Sequence, residues 1–455
     1  MSWSPGIPDG REPLHERLLA ALVRDIEAGV LPPGTRLPAQ RDLAHTARLG
    51  LGTVTRAYAA AEQAGLITAR VGRGSFVAER PTVPADTVID LSRNLPPMGP
   101  AETRIGQALA RLQRRPDLAR TLTYAPRAGD MAHRAAMAGW LHRVCGLERL
   151  PAERVVLCGG AQQGMALALT AACRPGDAVL CEEATYMGLK PLAQAAGYRL
   201  VGVAMDGEGL HPDALAEAAG QSGARAVYVL PTLQNPTART MSERRRQAIA
   251  EVARRRDLAI IEDDVYGLYA GPNRPAPIAV LAPERTWFVA GLSKLVAPGL
   301  RMGAVVAPDL AGHDRLLVAL EGLMGAGDVF GRTIAAQWIE DGVAEAIARD
   351  NVAEAGARLA MARARLGAGV EPPGGAASLH IWLPMSELEA ERVAGRAMRG
   401  GVLLTPADAP LVGPGATRGL RLCLGGARER ERLRAGLDIV AAAIAGREPC
   451  EPARV

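Results

Sequence analysis

Lysine is almost absent from this chain of 455 residues: only two of its 53 basic residues are lysines, and one of them is Lys294. Arginine carries positive charge as well as lysine does, but it keeps its proton in proteins and cannot form an imine. A buried lysine with a lowered pKa can do both, which is what Schiff-base chemistry with an aldehyde cofactor requires. The alternative is that Lys294 is a chance survivor of an arginine-rich composition.

Other scarcities exclude whole classes of protein. Aromatic residues make up 3% of a chain that is 48% hydrophobic, so the core must be built from Ala, Leu, Val and Ile. The six cysteines and seven histidines lack the spacing of a metal site, and the default for such cysteines is reduced thiols. There is no signal-peptide pattern and no apolar run of the roughly 20 residues that a membrane span needs. We therefore expect a cytoplasmic protein of more than one domain.

Residues 11–78 carry the pattern of a winged helix-turn-helix. An amphipathic helix is predicted first, because apolar residues recur at every fourth position: Leu14, Leu18, Leu22 and Ile26. A short helix, a longer helix and a β-hairpin follow, at 40–47, 53–64 and 66–77. In such a domain the second helix of the helix-turn-helix enters the major groove of DNA. The alternative is a small helical dimerisation domain whose arginines are merely solvated.

A proline-containing linker is predicted over 79–90, and an α/β body over 91–455. Short apolar runs separated by helical spacers predict a mostly parallel sheet, covered on both faces, in a large domain of about 125–310. The runs lie at 155–158, 178–181, 200–203, 226–230, 259–261, 287–290 and 304–306. A smaller α+β domain of about 311–445, completed by the N-terminal part of the body, has strand candidates at 380–383, 402–404 and 420–422.

Polar segments follow four of these predicted strands, at the edge where open α/β sheets bind ligands. They are the glycine turn 159–164, the segment 183–186 with Tyr186, the loop 231–237 with Asn235, and the acidic segment 261–266 with Asp263 and Tyr266. Helix N-terminal amides bind phosphate, a carboxylate keeps a pyridine nitrogen protonated, and a tyrosine stacks on a ring. Each segment also has a plain structural reading as a turn, a helix cap or a packed tyrosine.

The order of these segments along the chain, ending in 291–303 around Lys294, resembles that of fold-type I aminotransferases. The branch that it resembles includes kynurenine and 2-aminoadipate aminotransferases. The resemblance implies pyridoxal 5'-phosphate as cofactor, an internal aldimine at Lys294, and Asp263 paired with the pyridine nitrogen. It implies further cofactor contacts for Tyr266 and Asn235 at the 3-hydroxyl, Tyr186 on the ring face, and Ala161, Gln162, Ser293 and Arg301 at the phosphate.

Two further positions match that family outside the large domain's strand ends. Arg421, in 419–423, occupies the place of the arginine that binds the substrate carboxylate, a bidentate pairing that suits a guanidinium. Tyr124, in 123–129, resembles the tyrosine that reaches the phosphate of the neighbouring subunit. The resemblance therefore implies that a homodimer completes the site.

The N-terminal domain closely resembles the GntR family of repressors, in the segment 31–44 and in Gly72-Arg73-Gly74-Ser75-Phe76-Val77. The residues expected to contact DNA lie in the predicted recognition helix, before it and at the tip of the wing: Thr53, Thr55 and Arg56; Arg36 and Arg41; and Arg73. A GntR head on an aminotransferase-like body resembles the MocR subfamily of bacterial regulators. Such a protein is expected to bind two-fold operator DNA as a head-to-tail homodimer.

Three functions remain open from the sequence. The first is a transcriptional regulator that senses pyridoxal phosphate, or an amino compound that reacts with it, through aldimine exchange at Lys294. The second is a working aminotransferase that carries a DNA-binding head, since its apparent catalytic set is complete. The third is a sensor of the cofactor alone, without an amino-acid effector.

Overall fold

The computed structural model describes residues 3–8, 10, 12–32, 34–63, 66–70, 74–77, 88–148, 150–323 and 329–447. The chain divides into two compact units, Met1–Thr87 and Val88–Val455. The predicted wing-tip residue Arg73 and most of the predicted linker, 79–87, lie outside the described residues. Within those residues no helix combines the length and the apolar character needed to cross a membrane.

The first unit, here called the head, is a winged helix-turn-helix, as the sequence predicted. Its elements are α1 (Leu14–Glu27), α2 (Gln40–Thr46), α3 (Leu51–Gln63), β1 (Ile67–Arg70) and β2 (Gly74–Val77). Strands β1 and β2 form an antiparallel hairpin. The predicted stripe of α1 is buried at Leu18 and Leu22, whereas Leu14, at the start of the helix, is 39% exposed. Each fully buried leucine stabilises such a small core by about 1.5–3 kcal/mol.

The second unit, here called the body, contains twelve further α-helices and thirteen further strands within its described residues, besides five short 3-10 helices. In chain order they are β3 (Ile89–Asp90), α4 (Gly99–Gln113), α5 (Met131–Cys145), β4 (Val155–Cys158), α6 (Ala161–Ala172), β5 (Ala178–Glu182), α7 (Leu189–Ala196), β6 (Arg199–Val203), β7 (Met205–Asp206), β8 (Gly209–Leu210), α8 (Pro212–Ser222), β9 (Ala226–Val229), α9 (Glu243–Arg255), β10 (Ala259–Asp263), α10 (Ile278–Leu281), β11 (Thr286–Gly291), β12 (Gly303–Val306), α11 (Leu310–Leu323), α12 (Val329–Glu340), α13 (Val343–Leu366), β13 (His380–Pro384), α14 (Glu387–Arg399), β14 (Val402–Leu403), β15 (Gly419–Cys423) and α15 (Arg430–Ile444).

All seven apolar runs of the predicted large domain form strands of one sheet. Its spatial order is β4-β12-β11-β10-β9-β5-β6. Strand β12 runs antiparallel to both of its neighbours, and the other six strands share one direction. Apolar clusters cover the sheet on its two faces. Because the six co-directional strands end at the same edge, the loops that follow them converge there.

The smaller domain takes in residues from both ends of the body. Strand β13 pairs with β15, and β14 pairs in parallel with β3. Ile89 and Asp90 thus belong to a strand, although the sequence analysis assigned them to the linker. The backbone amides of Ile89 and Leu91 donate to the carbonyls of Gly401 and Leu403, both at 2.9 Å. A partner more than three hundred residues away cannot be read from the local proline-rich pattern.

Candidate functional site

One cavity at the strand-end edge of the large sheet gathers nine of the ten predicted cofactor-binding residues. They come from loops and helix starts after five different strands, and they are Ala161, Gln162, Tyr186, Asn235, Asp263, Tyr266, Ser293, Lys294 and Arg301. An adjoining outer cleft shares Tyr186, Asn235 and Lys294 with this cavity and is also lined by Arg421. The nine residues, which lie between positions 161 and 301, therefore meet because the strands that precede them end together, whereas Arg421 comes from β15 of the smaller domain.

Lys294 lies just after β11 on a segment that is held from two sides. The Tyr269 hydroxyl donates to the Lys294 carbonyl at 2.7 Å, and Asn351 Nδ2 donates to the next carbonyl, of Leu295, at 3.0 Å. The Nζ of Lys294 donates to the carbonyl of Asn94. Burial lowers the pKa of this amine to about 8, and the charge of Arg421 acts in the same direction. Lys294 is therefore positioned, and partly deprotonated, for attack on an aldehyde.

The lowered pKa of Lys294 predicts a specific pH profile. At pH 7 a pKa of about 8 leaves roughly a tenth of the amines neutral, against fewer than about one in a thousand at the ordinary value near 10.5. We expect the rate at which pyridoxal phosphate attaches to cofactor-free protein to rise up to about pH 8 and then to level off, as measured by stopped-flow absorbance. With Nα-acetyl-lysine as the control amine, the rate should keep rising to pH 10. The same unbroken rise in the protein would contradict the assignment.

Asp263 is a buried carboxylate with one satisfied and one unsatisfied oxygen. The Tyr228 hydroxyl donates to Oδ2 at 2.8 Å, whereas Oδ1 has no hydrogen-bond partner among the described residues. Burial raises the pKa of Asp263 to about 7, and the Tyr228 hydrogen bond and Lys294 oppose that rise. A cationic N–H placed in the cavity would satisfy Oδ1 and hold the carboxylate ionised.

The predicted phosphate-binding end of the site is the start of α6. Gly160 precedes this helix with φ of +99°, a conformation that favours glycine and exposes the first amides of the helix. The guanidinium of Arg301 lies close to Gly160, about 3.6 Å from where a Cβ would stand. Gln162 Nε2 donates to the carbonyl of Gly188 at 3.0 Å. Free amides at a helix N-terminus beside an arginine bind a phosphate well.

Glycine at 188 is required by the ring of Tyr186. A Cβ at that position would lie 2.5 Å from the tyrosine ring. The ring is half-buried and lines both the cavity and the outer cleft. It is therefore placed to stack on a planar group that spans the two spaces.

Arg421 and Asn235 are directly hydrogen-bonded. Arg421 donates to Asn235 Oδ1 at 2.8 Å, to Thr405 Oγ1 at 2.9 Å and to the Ser92 carbonyl at 2.7 Å. Its Nε is buried without a partner among the described residues. The guanidinium is thus held in one orientation with a donor left for a ligand oxygen.

Asn94 was missed by the sequence analysis. Its Nδ2 donates to the Tyr266 hydroxyl at 3.0 Å and lies 3.1 Å from Nδ1 of His380, while its carbonyl accepts from Lys294. His380 is fully buried, and its Nε2 lies 3.0 Å from the Gln234 carbonyl. Burial lowers the pKa of His380 to about 3, so the ring is neutral, with Nδ1 accepting from Asn94 and Nε2–H donating to Gln234. With Asn94 as its donor, the Tyr266 hydroxyl keeps its own proton for a group in the cavity.

Replacing Asn94 with alanine should weaken cofactor binding. Loss of one donor to the Tyr266 hydroxyl should lower pyridoxal phosphate affinity by about three- to tenfold. Equilibrium dialysis of the cofactor against each variant measures this. Asn273→Ala is the matched control, because this asparagine is exposed and lies outside both the cavity and the outer cleft. Equal affinities of Asn94→Ala and wild type would show that Asn94 acts through its backbone carbonyl alone.

Tyr124 does not join the other nine residues within a single chain. Its side chain is fully exposed. It lines a separate cavity together with Arg115, His133 and Thr333. The contact with the phosphate of a neighbouring subunit, which the resemblance implies for Tyr124, stays a prediction.

The residues of the cavity fit pyridoxal phosphate. They offer a nucleophilic amine, an unsatisfied buried carboxylate oxygen for a pyridinium, and an anion-binding helix start. When bound, this cofactor supplies an aldehyde carbon and an electron-withdrawing ring. Lys294, Asp263, Tyr186 and Tyr266 would hold the ring end, and Ala161, Gln162, Ser293 and Arg301 the phosphate end.

In the head, the predicted DNA-contacting side chains that the structure describes are all accessible. Arg36, Arg41, Thr55 and Arg56 are exposed, and Thr53 is half-buried. Thr55 Oγ1 donates to Gln40 Oε1 at 2.9 Å, which links the starts of the two helices of the motif. Val54 and Tyr58 on the opposite face of α3 are buried. This leaves Thr55 and Arg56 on the outer face of the recognition helix.

Comparisons with known proteins agree with both units. Residues 86–439 match the family Aminotransferase class I and II, and residues 14–77 match the bacterial regulatory proteins of the gntR family. The HTH-type transcriptional regulator YdeF of Bacillus subtilis is 32% identical over 68% of each chain. The pyridoxine biosynthesis regulator PdxR of Corynebacterium glutamicum is 27% identical over 68% of this chain and 69% of its own.

A solved structure of the alpha-aminoadipate aminotransferase LysN from Thermus thermophilus is similar to the body. It is 25% identical, with a TM-score of 0.70 over 79% of this chain and 92% of LysN. Its crystal contained N-(5'-phosphopyridoxyl)-L-leucine.

Fold and site together define a pyridoxal phosphate-dependent, fold-type I aminotransferase-like body joined to a winged helix-turn-helix head. The chain belongs to the MocR subfamily of GntR-type transcriptional regulators. It is a pyridoxal phosphate-dependent DNA-binding regulator.

Proposed function

We propose that this regulator senses pyridoxal phosphate, or an amino compound that reacts with it, at Lys294. The observation that carries the proposal is the setting of this lysine, whose amine is half-buried, has a lowered pKa and lies between the cavity and an accessible cleft. A pocket that only needed positive charge could use arginine, as the chain does almost everywhere else. The name of PdxR, a pyridoxine biosynthesis regulator, supports a link between this architecture and vitamin B6.

The switch requires two states of the body that differ in ligand affinity. An amino compound whose carboxylate pairs with Arg421 would compete with the Lys294 amine for the aldehyde carbon of bound pyridoxal phosphate. The Lys294 amine would then be released toward the Asn94 carbonyl, which already accepts from it here. Because Asn94 also bonds to Tyr266 and His380, whose ring centroids lie 5.4 Å apart, this release would change the hydrogen bonding of both residues.

We propose a head-to-tail homodimer with residues 11–78 as the DNA-binding domain, 79–90 as the linker and 91–455 as the effector body. Full exposure of Tyr124 and 80% exposure of Leu122 support a partner surface there. A dimer would read a two-fold operator. Such a protein would act in the cytoplasm, where the operator is.

The direct test is a binding experiment with three forms of the protein. An operator is selected from a random double-stranded library with purified holoprotein, and its affinity is measured by fluorescence anisotropy. The cofactor-free form, the holoprotein and the holoprotein with an amine that changes its absorption spectrum are compared. Sensing predicts a difference of about 5- to 150-fold between at least two forms. Equal affinities, despite a spectral response to the amine, would contradict sensing.

Aminotransferase activity is the second candidate. It is favoured by the convergence of an amine, a ring-nitrogen carboxylate and a carboxylate-binding arginine at one site. Purified holoprotein is mixed with amino acids and a keto acid, and the pyridoxamine form and products are followed. Sustained turnover favours the enzyme, and a spectral change that stops after one equivalent of amine favours the sensor.

A further inference from the structure

The other lysine of the chain, Lys190, lies in the same cleft as Lys294. Lys190, at the start of α7, lines the outer cleft together with Lys294. A chain with 53 basic residues has thus placed both of its ammonium groups around one ligand space. The function argued above uses Lys294 and leaves Lys190 without a role.

All charged side chains that line the outer cleft are basic. Arg93, Lys190, Lys294 and Arg421 line it, and no aspartate or glutamate is among its described lining residues. The chain as a whole has nearly balanced charge, with 48 acidic residues against 53 basic ones. A concave site lined by one sign of charge attracts ligands of the opposite sign.

None of these four cations pairs with a carboxylate among the described residues, and the side chains of Lys190 and Arg93 also lack the close hydrogen bonds that hold Lys294 and Arg421. Lys190 makes one long hydrogen bond, 3.4 Å, to the carbonyl of Asp408. For Arg93, no hydrogen bond or ion pair of its side chain occurs among the described residues, and the side chain is exposed. Arginines elsewhere in the body are commonly paired, as Arg239 is with Glu371 at 2.6 Å. The charges of Lys190 and Arg93 can therefore pair with an anionic ligand, whereas many other cations of the chain already pair with a carboxylate.

From this arrangement we infer that the effector is an acidic amino compound that carries a second anionic group besides its carboxylate. The inference rests on the proposed sensing function and names the class of its ligand. The first carboxylate pairs with the fixed guanidinium of Arg421, and the amine reaches the position of Lys294. The second anionic group lies at the outer end of the cleft, between Lys190 and Arg93.

The number of cations in the outer cleft also argues against an effector that has no second anionic group. The carboxylate of a simple monocarboxylic amino acid would pair with Arg421 alone, and Lys190 and Arg93 would remain unpaired beside the apolar side chain of that ligand. A second carboxylate or a phosphate would pair with Lys190, whose compact ammonium accepts either geometry. Solvent at the cleft mouth limits the strength of this pairing, so its effect is a selectivity of moderate size.

The experiment compares amino acids that differ in one charge. Holoprotein is titrated with L-glutamate against L-glutamine, L-aspartate against L-asparagine, and O-phospho-L-serine against L-serine, and the change in visible absorbance gives each dissociation constant. We expect the acidic member to bind about tenfold or more tightly in at least one pair. The phosphate and carboxylate arms distinguish the two kinds of second anion. Equal or tighter binding of the neutral member in every pair, or no response to any acidic probe at millimolar concentration, overturns the inference.

Variants separate the second anion from the rest of the site. Lys190→Gln combined with Arg93→Gln should weaken the preferred acidic probe about tenfold and its neutral counterpart less than about twofold. Lys190→Arg should keep most of the preference. Arg392→Gln, an exposed arginine of α14 outside the cleft, is the control and should change neither. An unchanged preference in the double variant overturns the assignment of Lys190 and Arg93.

The same experiments separate the proposed class of effector from the proposed sensing function. If holoprotein responds to neutral amines and changes its operator affinity with them, sensing stands and the acidic class is wrong. If the acidic probes bind with the expected selectivity but operator affinity stays constant, the ligand class stands and sensing is wrong.

Discussion

Replacing Lys294 with alanine should abolish the covalent attachment of pyridoxal phosphate and the visible absorbance that accompanies it. The alanine side chain has no amine, and the cavity contains no other lysine. The fold should survive, since the Lys294 side chain is half-buried and makes one hydrogen bond, to a backbone carbonyl. The melting temperature of the cofactor-free protein should therefore change by no more than about 3 °C. Absorption spectra after dialysis against excess cofactor measure the loss.

Lys190→Arg is the matched control for that variant. It removes the other lysine, which lies in the outer cleft, and should leave the absorbance band intact. A second consequence follows for regulation: Lys294→Ala should bind the operator with one affinity, whether or not cofactor and amine are present. Retention of the wild-type spectrum in Lys294→Ala would show that a different residue holds the cofactor.

Removing Arg41 and Arg56 together should greatly weaken DNA binding and flatten its salt dependence. Both side chains are exposed, on α2 and α3, and Arg56 makes a local bond, to the carbonyl of Gly52 at 3.2 Å. If each contacts one phosphate, the slope of log K against log salt should fall by roughly 2. Raising the salt from about 50 to 200 mM should therefore weaken DNA binding by the double variant much less than it weakens DNA binding by wild type.

The control for the head is charge-preserving. Arg41→Lys with Arg56→Lys should keep most of the slope, because a phosphate contact requires charge more than a fork of donors. Cofactor loading should be unchanged in both double variants, since these residues belong to the head. Wild-type operator binding by the double alanine variant would mean that a different face of the head contacts DNA.

Much of the fold could be predicted because its signals are local. The seven strands of the large sheet were each marked by a short apolar run, and the buried face of α3 by Val54, Ala57, Tyr58 and Ala61. The pairing of strands was not predictable from these runs. That β3 pairs with β14 depends on residues at opposite ends of the body, and a two-residue strand carries no pattern of its own.

The candidate site was predictable where its residues follow strands and unpredictable where they approach from elsewhere. Lys294, Asp263 and Asn235 lie in short strand-end motifs, and strands that share a direction brought them together. Asn94 lies in a segment with no such motif, so its bonds to Tyr266 and His380 became visible only in three dimensions. Tyr228 gave one usable signal, because a tyrosine inside a fully buried strand needs a partner for its hydroxyl, and Asp263 is that partner.

The chain's scarcity of lysine allows the covalent attachment of the cofactor to be tested directly. Holoprotein is reduced with borohydride, digested, and its peptides are mapped by mass spectrometry for a pyridoxyl group. With only Lys190 and Lys294 as candidate side chains, the assignment is unambiguous. We predict the label on Lys294, with Lys190 unmodified. A label on Lys190 alone, or a native protein that gives no reduced adduct at all, would contradict the account.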